Sequence, residues 1–306
     1  MNVAEVSVIL PLFGDHRAVW SLPTVCRAWL GQEATCEVVV AVAADTVVPP
    51  LGDLDPDRVR IVSAGAGPAA PGPLRNLAAA ASRAPMLYLG DADIVPLGRD
   101  YLERALTFRG QVLIQPWMYR LVNPSAVGDG QRGTDVRDGT ALLPPGRGQV
   151  CHVRVDRDGK LTPLGPERFT WLNPEIMTVE PPAGFGWRNE DGTPCPAFPF
   201  HWGGILVERA TFEAVGGYCT RYVGWGCEDD DLIVKLEGRA SVVRAWRVAR
   251  RLTCLHFEHP RTHTAASIRA NQTMLAERLA SGVEAMIDED RRIASRAAAP
   301  YAGHTS

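Results

Sequence analysis

The chain lacks most of the features that would sort it quickly. Its seven cysteines, in 306 residues, include no C-x-x-C pair. An odd count also leaves any complete pairing impossible, so a reduced, cytoplasmic setting fits better than a disulfide framework. No apolar run approaches the ~20 residues needed to cross a bilayer, so no transmembrane segment is expected. The opening MNVAEVSVILPLFGD has no basic stretch, and Pro11 and Asp15 interrupt its apolar run, so it reads as a first strand and not as a signal peptide. An excess of one charge is missing too. With 32 Lys and Arg against 35 Asp and Glu, and arginines scattered apart from Arg291, Arg292 and Arg296, there is no basic footprint for nucleic acid. Signatures of the form G-x-x-x-x-G-K-[ST], G-x-S-x-G and H-E-x-x-H are absent. GAGPAAPG at 65–72 puts prolines where a dinucleotide-binding helix would begin, and no internal repeat is visible.

What is present is an alternation. VSVILPL (6–12), EVVVAVAAD (37–45), RVRIVSA (58–64) and MLYLGDADIV (86–95) are continuous apolar, β-branched-rich runs of the kind found in strands covered on both faces. Helical patterns at 19–30, 73–84 and 100–109 separate them, and QVLIQPW at 111–117 adds a strand. Strand and helix in alternation predict a doubly wound α/β sheet. From 119 to 200 the chain is dense in Gly, Pro and Trp and shows little regularity beyond a short strand near QVCHVRV (149–155), as expected of a lid or binding segment. HWGGILVERATFEAVGGY (201–218) reads as strand then short helix, DDDLIVKLEG (229–238) as a helix, and 248–263 as a last strand. A helix over 264–296 would place Ile268, Leu275, Leu279, Val283, Met286 and Ile287 on one face. The expected layout is one domain over 1–296 (halves 1–118 and 201–263 around the 119–200 segment, then the helix), with 297–306 as a flexible tail.

Three groups of residues carry chemistry. Asp91 and Asp93 in GDAD end a buried strand, and residues two apart on a strand face the same way. By itself such a pair reads more readily as a solvated turn, but in open α/β sheets the carboxyl edge of the strands is where ligands bind. Hard oxygen ligands there suit Mg²⁺ or Mn²⁺. His256 and His259 in LHFEH stand three apart at the end of the last strand, either as further ligands or as histidines satisfied by carbonyls. Glu228, Asp229, Asp230 and Asp231 follow GWGC. Acids in a helix's first turn gain ~0.3–1 kcal/mol each from the macrodipole, which accounts for one or two of them and not for four. Successive helical residues point about 100° apart, so these four side chains can serve different tasks.

Taken in this order, the residues resemble the GT-A fold glycosyltransferases, which use nucleotide sugars. VSVILPLFGD, the Arg75-Asn76 pair of PLRNLAAAAS and LYLGDADIVPL are similar to family 2 enzymes. HWGGILVERATFEAVGGYCTRYVGWGCEDDDL is similar to the catalytic region of β-1,4-galactosyltransferases and polypeptide N-acetylgalactosaminyltransferases. The likeness covers 6–118 and 200–263. It implies a GT-A, Rossmann-like, mostly parallel central sheet flanked by helices, with a long irregular acceptor-side insertion and a C-terminal helix. It also implies a hexosyltransferase that moves a hexose or N-acetylhexosamine from a UDP-sugar to an acceptor hydroxyl with inversion, with Mn²⁺ (or Mg²⁺) on the pyrophosphate. Asp93 would then be a direct metal ligand, Asp91 a ribose or metal partner, and His259 and His256 further ligands. Asp229 would be the general base and Glu228 an acceptor contact. Leu12, Phe13, Asp15 and Asp45 would hold the uridine, and Arg75, Gly203, Gly204 and Trp225 the nucleotide sugar. One base with no nucleophilic carboxylate is the arrangement that inverts. A sugar nucleotidyltransferase and a non-catalytic nucleotide-sugar-binding protein on the same scaffold are the competing readings; the former lacks a basic glycine-rich loop after the first strand. The acceptor (natural product, glycan or peptide) is left open, with Trp117, Trp171, Trp187, Trp202 and Trp225 as candidate walls that serve equally well as core.

Overall fold

The runs VSVILPL and CEVVVAV are buried at every position in the computed structural model, as β1 (Val6–Leu12) and β2 (Cys36–Val42). The structure describes residues 4–14, 18–65, 70–121, 151–155, 161–164, 176–180, 200–248, 252–257 and 265–298. Alternation along these strands sends Val8, Leu10, Val38 and Val40 into one apolar cluster, and Ile9, Val39 and Ala41 into another on the opposite face. Leu22, Val25 and Trp29 of α1 (Ala18–Leu30) cover the first face. After β3 (Val59–Ser63), α2 (Pro71–Ala81) covers the second with Leu74, Ala78 and Ala79. Each large side chain removed from water in this way contributes roughly 1.5–3 kcal/mol.

The central sheet has seven strands in the order β12-β6-β11-β4-β1-β2-β3, where β4 is Met86–Leu89, β6 Val112–Ile114, β11 Ile205–Glu208 and β12 Val242–Arg244. It is parallel except for β11, which runs antiparallel to both β4 and β6. A second sheet of six strands has the order β5-β13-β7-β10-β8-β9, with β5 Ile94–Pro96, β7 Trp117–Leu121, β8 Cys151–Val155, β9 Leu161–Leu164, β10 Ile176–Glu180 and β13 Thr253–Phe257. The helices are α3 (Tyr101–Leu106), α4 (Arg209–Ala214), α5 (Glu228–Glu237), α6 (Ala245–Val248), α7 (Ala265–Ser281) and α8 (Val283–Ala298). Among the described residues no helix is long and apolar enough to cross a membrane.

Four expectations need correction. The run 86–95 is not one strand: β4 ends at Leu89, the chain turns through Asp91–Asp93, and β5 joins the other sheet, so the two aspartates do not share a strand face. The run 111–117 is broken likewise, at Gln115, whose φ of +58° no regular strand accommodates. The stretch 119–200 holds the strand expected near 149–155, as β8, and beyond that expectation also contributes β9 and β10, all paired antiparallel. The long C-terminal helix is two helices, parted at Gly282 with φ +86°.

Candidate active site

Strand register brings the motifs together. Because β11 runs antiparallel to β4 with Ile205 opposite Leu89, the HWGG segment before β11 lies beside the GDAD turn after β4. Because β13 runs antiparallel to β5 with His256 opposite Ile94, His256 comes to lie beside Asp93. A Cβ placed on Gly203 would stand 3.0 Å from Arg75 Nη2, 3.2 Å from Asp229 Oδ2 and 3.4 Å from Asp91 Oδ2. Any side chain there would press into this convergence. On Gly204 a Cβ would meet Pro116 at 2.7 Å and His201 Nδ1 at 2.9 Å, so the backbone can pass here only as glycine.

Arg75, carried by α2 and only 1% exposed, is the hub. Its Nη2 pairs with Asp91, its Nη1 donates to Asp229 Oδ1 at 3.2 Å and lies 3.6 Å from Glu228 Oε1, and its Nε donates to the Gly90 carbonyl at 3.2 Å. The other Asp91 oxygen meets His201 Nε2 at 2.8 Å. Burial pushes the Asp91 carboxyl up, but Arg75 and then His201 outweigh it and hold that carboxyl well below the usual carboxylate range. Glu228 goes the other way: burial, reinforced by the charge of Asp229 and only partly opposed by Arg75, pushes it up to about 8. Tyr218 donates its hydroxyl to Asp229 Oδ1 at 2.9 Å, and the Arg75 guanidinium lies 5.2 Å above the Tyr218 ring. Asn76 holds Tyr218 with a reciprocal pair, Nδ2 donating to its carbonyl and Oδ1 accepting from its N–H, both at 2.8 Å. Among the described residues no donor reaches Asp229 Oδ2.

The four adjacent acids therefore part company. Glu228 is 4% exposed, Oε2 accepting from the Gly226 N–H at 3.0 Å, and is turned toward Arg75 rather than to open space. Asp229 joins the hub. Asp230 accepts from the Trp202 indole N–H at 2.9 Å. Asp231 is fully buried, receiving Tyr222 OH at 3.1 Å and Arg278 Nε at 2.5 Å, with Lys235 at 3.5 Å. Lys235, also fully buried, donates to the Gly217 carbonyl at 2.6 Å and pairs with Asp290. This buried ion cluster fastens α5 to α7 and α8.

Of the remaining expected residues, Asp93 is 5% exposed, with His256 Nε2 at 3.4 Å from its Oδ2. Leu12 ends β1, with Phe13 just after it, and Asp45 stands exposed beyond β2, all at the carboxyl edge of the parallel strands. Trp225 is 51% exposed. Asp15, His259, Trp171 and Trp187 lie outside the described residues. The sequence reading passed over His201 and Tyr218, although both stand inside quoted motifs, and Asn271, which had no signal at all. Asn271, 4% exposed on α7, directs Nδ2 to the carbonyls of Val223, Trp225 and Gly226 at 3.0, 3.2 and 3.1 Å. It pins the Trp225 loop, which ends in the left-handed Cys227 at φ +72°.

Residues 197–260, the stretch from HWGG through LHFEH, match the family described as the N-terminal domain of galactosyltransferase. The enzyme class is glycosyltransferase. That bears out the resemblance read from the sequence. No curated protein matches the chain in sequence. Among solved structures, the catalytic domain of Drosophila β1,4-galactosyltransferase 7 with xylobiose is 13% identical over 90% of this chain and 80% of that one, with a TM-score of 0.44. The mannosyltransferase PcManGT from Pyrobaculum calidifontis with GDP-Man and Mn²⁺ is 14% identical over 100% and 77%, at 0.48. GalNAc-T7 with UDP, GalNAc and Mn²⁺ is 14% identical over 90% and 48%, also at 0.48.

Proposed function

We propose that this glycosyltransferase moves a hexose or N-acetylhexosamine from a UDP-sugar to an acceptor hydroxyl with inversion, Asp229 acting as general base. The observation that supports it is the convergence of Arg75, Asp91 and Asp229 on Gly203, at the carboxyl edge of the sheet. Tyr218 and Arg75 anchor Asp229 through Oδ1, which leaves Oδ2 to take the acceptor proton. As the proton leaves, the acceptor oxygen bonds to the anomeric carbon and the bond from that carbon to the diphosphate oxygen breaks. The neighbouring Glu228 is buried and committed to Gly226 and Arg75, so the cluster supplies one base and no carboxylate nucleophile, and displacement from one face inverts the anomeric carbon.

Asp93 and His256 offer a carboxylate oxygen and an imidazole nitrogen, donors that suit Mn²⁺, and they are already neighbours. Both oxygens of Asp91 are engaged by Arg75 and His201, so ligation falls to Asp93. No group of three or more such donors gathers among the described residues, and His259, the remaining ligand implied by the resemblance, lies outside them. When bound, the cation neutralises charge gathering on the departing diphosphate.

The test is UDP release from a panel of UDP-sugars with Mn²⁺, with and without EDTA, together with the anomeric configuration of the product by NMR. Asp229→Asn is expected to lower transfer by about 10²–10⁴-fold while UDP-sugar still binds. Retention of half the wild-type rate in that variant, or a retained anomeric configuration, would overturn the assignment of the base.

A further inference from the structure

Beside the hub, a cleft of about 640 Å³ opens between α5, α6 and α7, a size typical of small-molecule sites. The Trp202–Asp230 pair forms part of its wall, and these residues are next in the chain to Gly203 and Asp229. Asp229 therefore stands one residue along α5 from the cleft wall.

Its lining decides what it can hold. Phe200 lies 5.1 Å from Trp202 and is stacked on Trp246 at 5.5 Å and 21°. The Arg247 guanidinium stands 4.9 Å over Trp246. The rings pack on one another and give the cleft a rigid aromatic wall. Ile233 and Val234 of α5 and Leu275 and Leu279 of α7 add aliphatic surface. Leu279 is 44% exposed, and covering such a side chain is favourable. The charges balance: Asp230 and Glu237 face Arg244 and Arg247, with Arg244 and Glu237 paired at 2.6 Å, so the lining selects no ion. The wall is also held at a strained point. Gln115, at φ +58°, donates its N–H to the Gly204 carbonyl at 3.0 Å and accepts from the Trp246 N–H at 3.1 Å. Strain of this kind persists only where the surrounding structure over-determines it.

We propose that the cleft binds the neutral, apolar body of a small-molecule acceptor, an aromatic or polycyclic alcohol, with its hydroxyl turned toward Asp229. The orientation of the hydroxyl rests on the transferase reading above, whereas the binding of the apolar body does not.

Calorimetry on the full chain without donor, using 2-naphthol and xylobiose as probes, tests it. Val234→Trp and Leu279→Trp fill the cleft from helix surfaces without touching Arg75, Asp91, Asp93 or Asp229. The expected result is saturable binding of 2-naphthol that weakens at least tenfold in both variants, no xylobiose binding that responds to them, and unchanged acceptor-free hydrolysis of the UDP-sugar. Absence of 2-naphthol binding, binding indifferent to both substitutions, or xylobiose binding abolished by them would overturn the proposal. Cleft-dependent 2-naphthol binding in a protein that releases no UDP from any UDP-sugar would uphold the apolar site and refute the transferase mechanism instead.

Discussion

Replacing Arg75 by methionine, a side chain of similar length, removes the guanidinium and leaves the Asp91 and Asp229 carboxylates facing each other beside the buried Glu228 carboxyl. The guanidinium is 1% exposed; one nitrogen pairs with Asp91, and another lies 3.2 Å from Asp229 and 3.6 Å from Glu228. At an effective dielectric constant of ~20, each contact at such distances is worth roughly 5 kcal/mol before desolvation is subtracted. The net loss on breaking a buried pair from one side is about 3–5 kcal/mol, since the partners stay buried and uncompensated. With Asp91 and Asp229 as its charged partners, a loss within that range is expected. For a chain of 306 residues that corresponds to a fall in Tm of roughly 5–8 °C at pH 7, measurable by scanning calorimetry. Acidification should recover part of the loss, because the abandoned carboxylates can then be protonated. Added salt should recover little, because a buried site is poorly screened. Arg75→Lys should fall between wild type and Arg75→Met, since one ammonium cannot serve Asp91, Asp229 and the Gly90 carbonyl in the same geometry. An Arg75→Met protein melting within about 2 °C of wild type, with no gain on acidification, would refute the hub.

Three further outcomes follow from the same geometry. Glu228 titrates near 8 in the fold against an ordinary value of 4.5, so its contribution to stability is greatest below pH 4.5 and is lost as pH rises through 8. Urea melts of wild type and Glu228→Gln should therefore diverge by up to about 1.4 kcal/mol per pH unit across that window, wild type falling faster; parallel curves would show that Glu228 is already ionised. Asn271→Ala should cost about 1–3 kcal/mol and speed proteolysis at 223–227, and Asn271→Asp should cost more, because a carboxylate would then face the three carbonyls that the amide now satisfies. Gly203→Ala should fold, since its neighbours at 3.0–3.4 Å can yield by tenths of an ångström, but with transfer reduced at least tenfold as Asp229 and Arg75 are displaced. Wild-type turnover in that variant would show that the convergence tolerates a shift.

Much of the scaffold was legible from composition alone. The β-branched runs that became β1 and β2 are covered on both faces because nothing polar interrupts them, and the period of the apolar residues is local information that needs no partner. The acid-led α5 and the position of GDAD after a buried strand were readable for the same reason. What each acid does was not. Asp229 meets an arginine 154 residues earlier in the chain, and Asp231 one that is 47 residues later, both brought there by sheet register and helix packing. The breaks at Gln115 and Gly282 interrupt runs that look continuous in sequence, because the backbone has to change sheet or direction there. On the C-terminal helices the expected apolar face supplies buried Met286 and Ile287, but Asn271, Arg278 and Asp290 are buried as well, and Leu279 stands at a cleft. Local periodicity records which residues leave water, whereas the partners of a buried polar group are chosen only when distant segments meet.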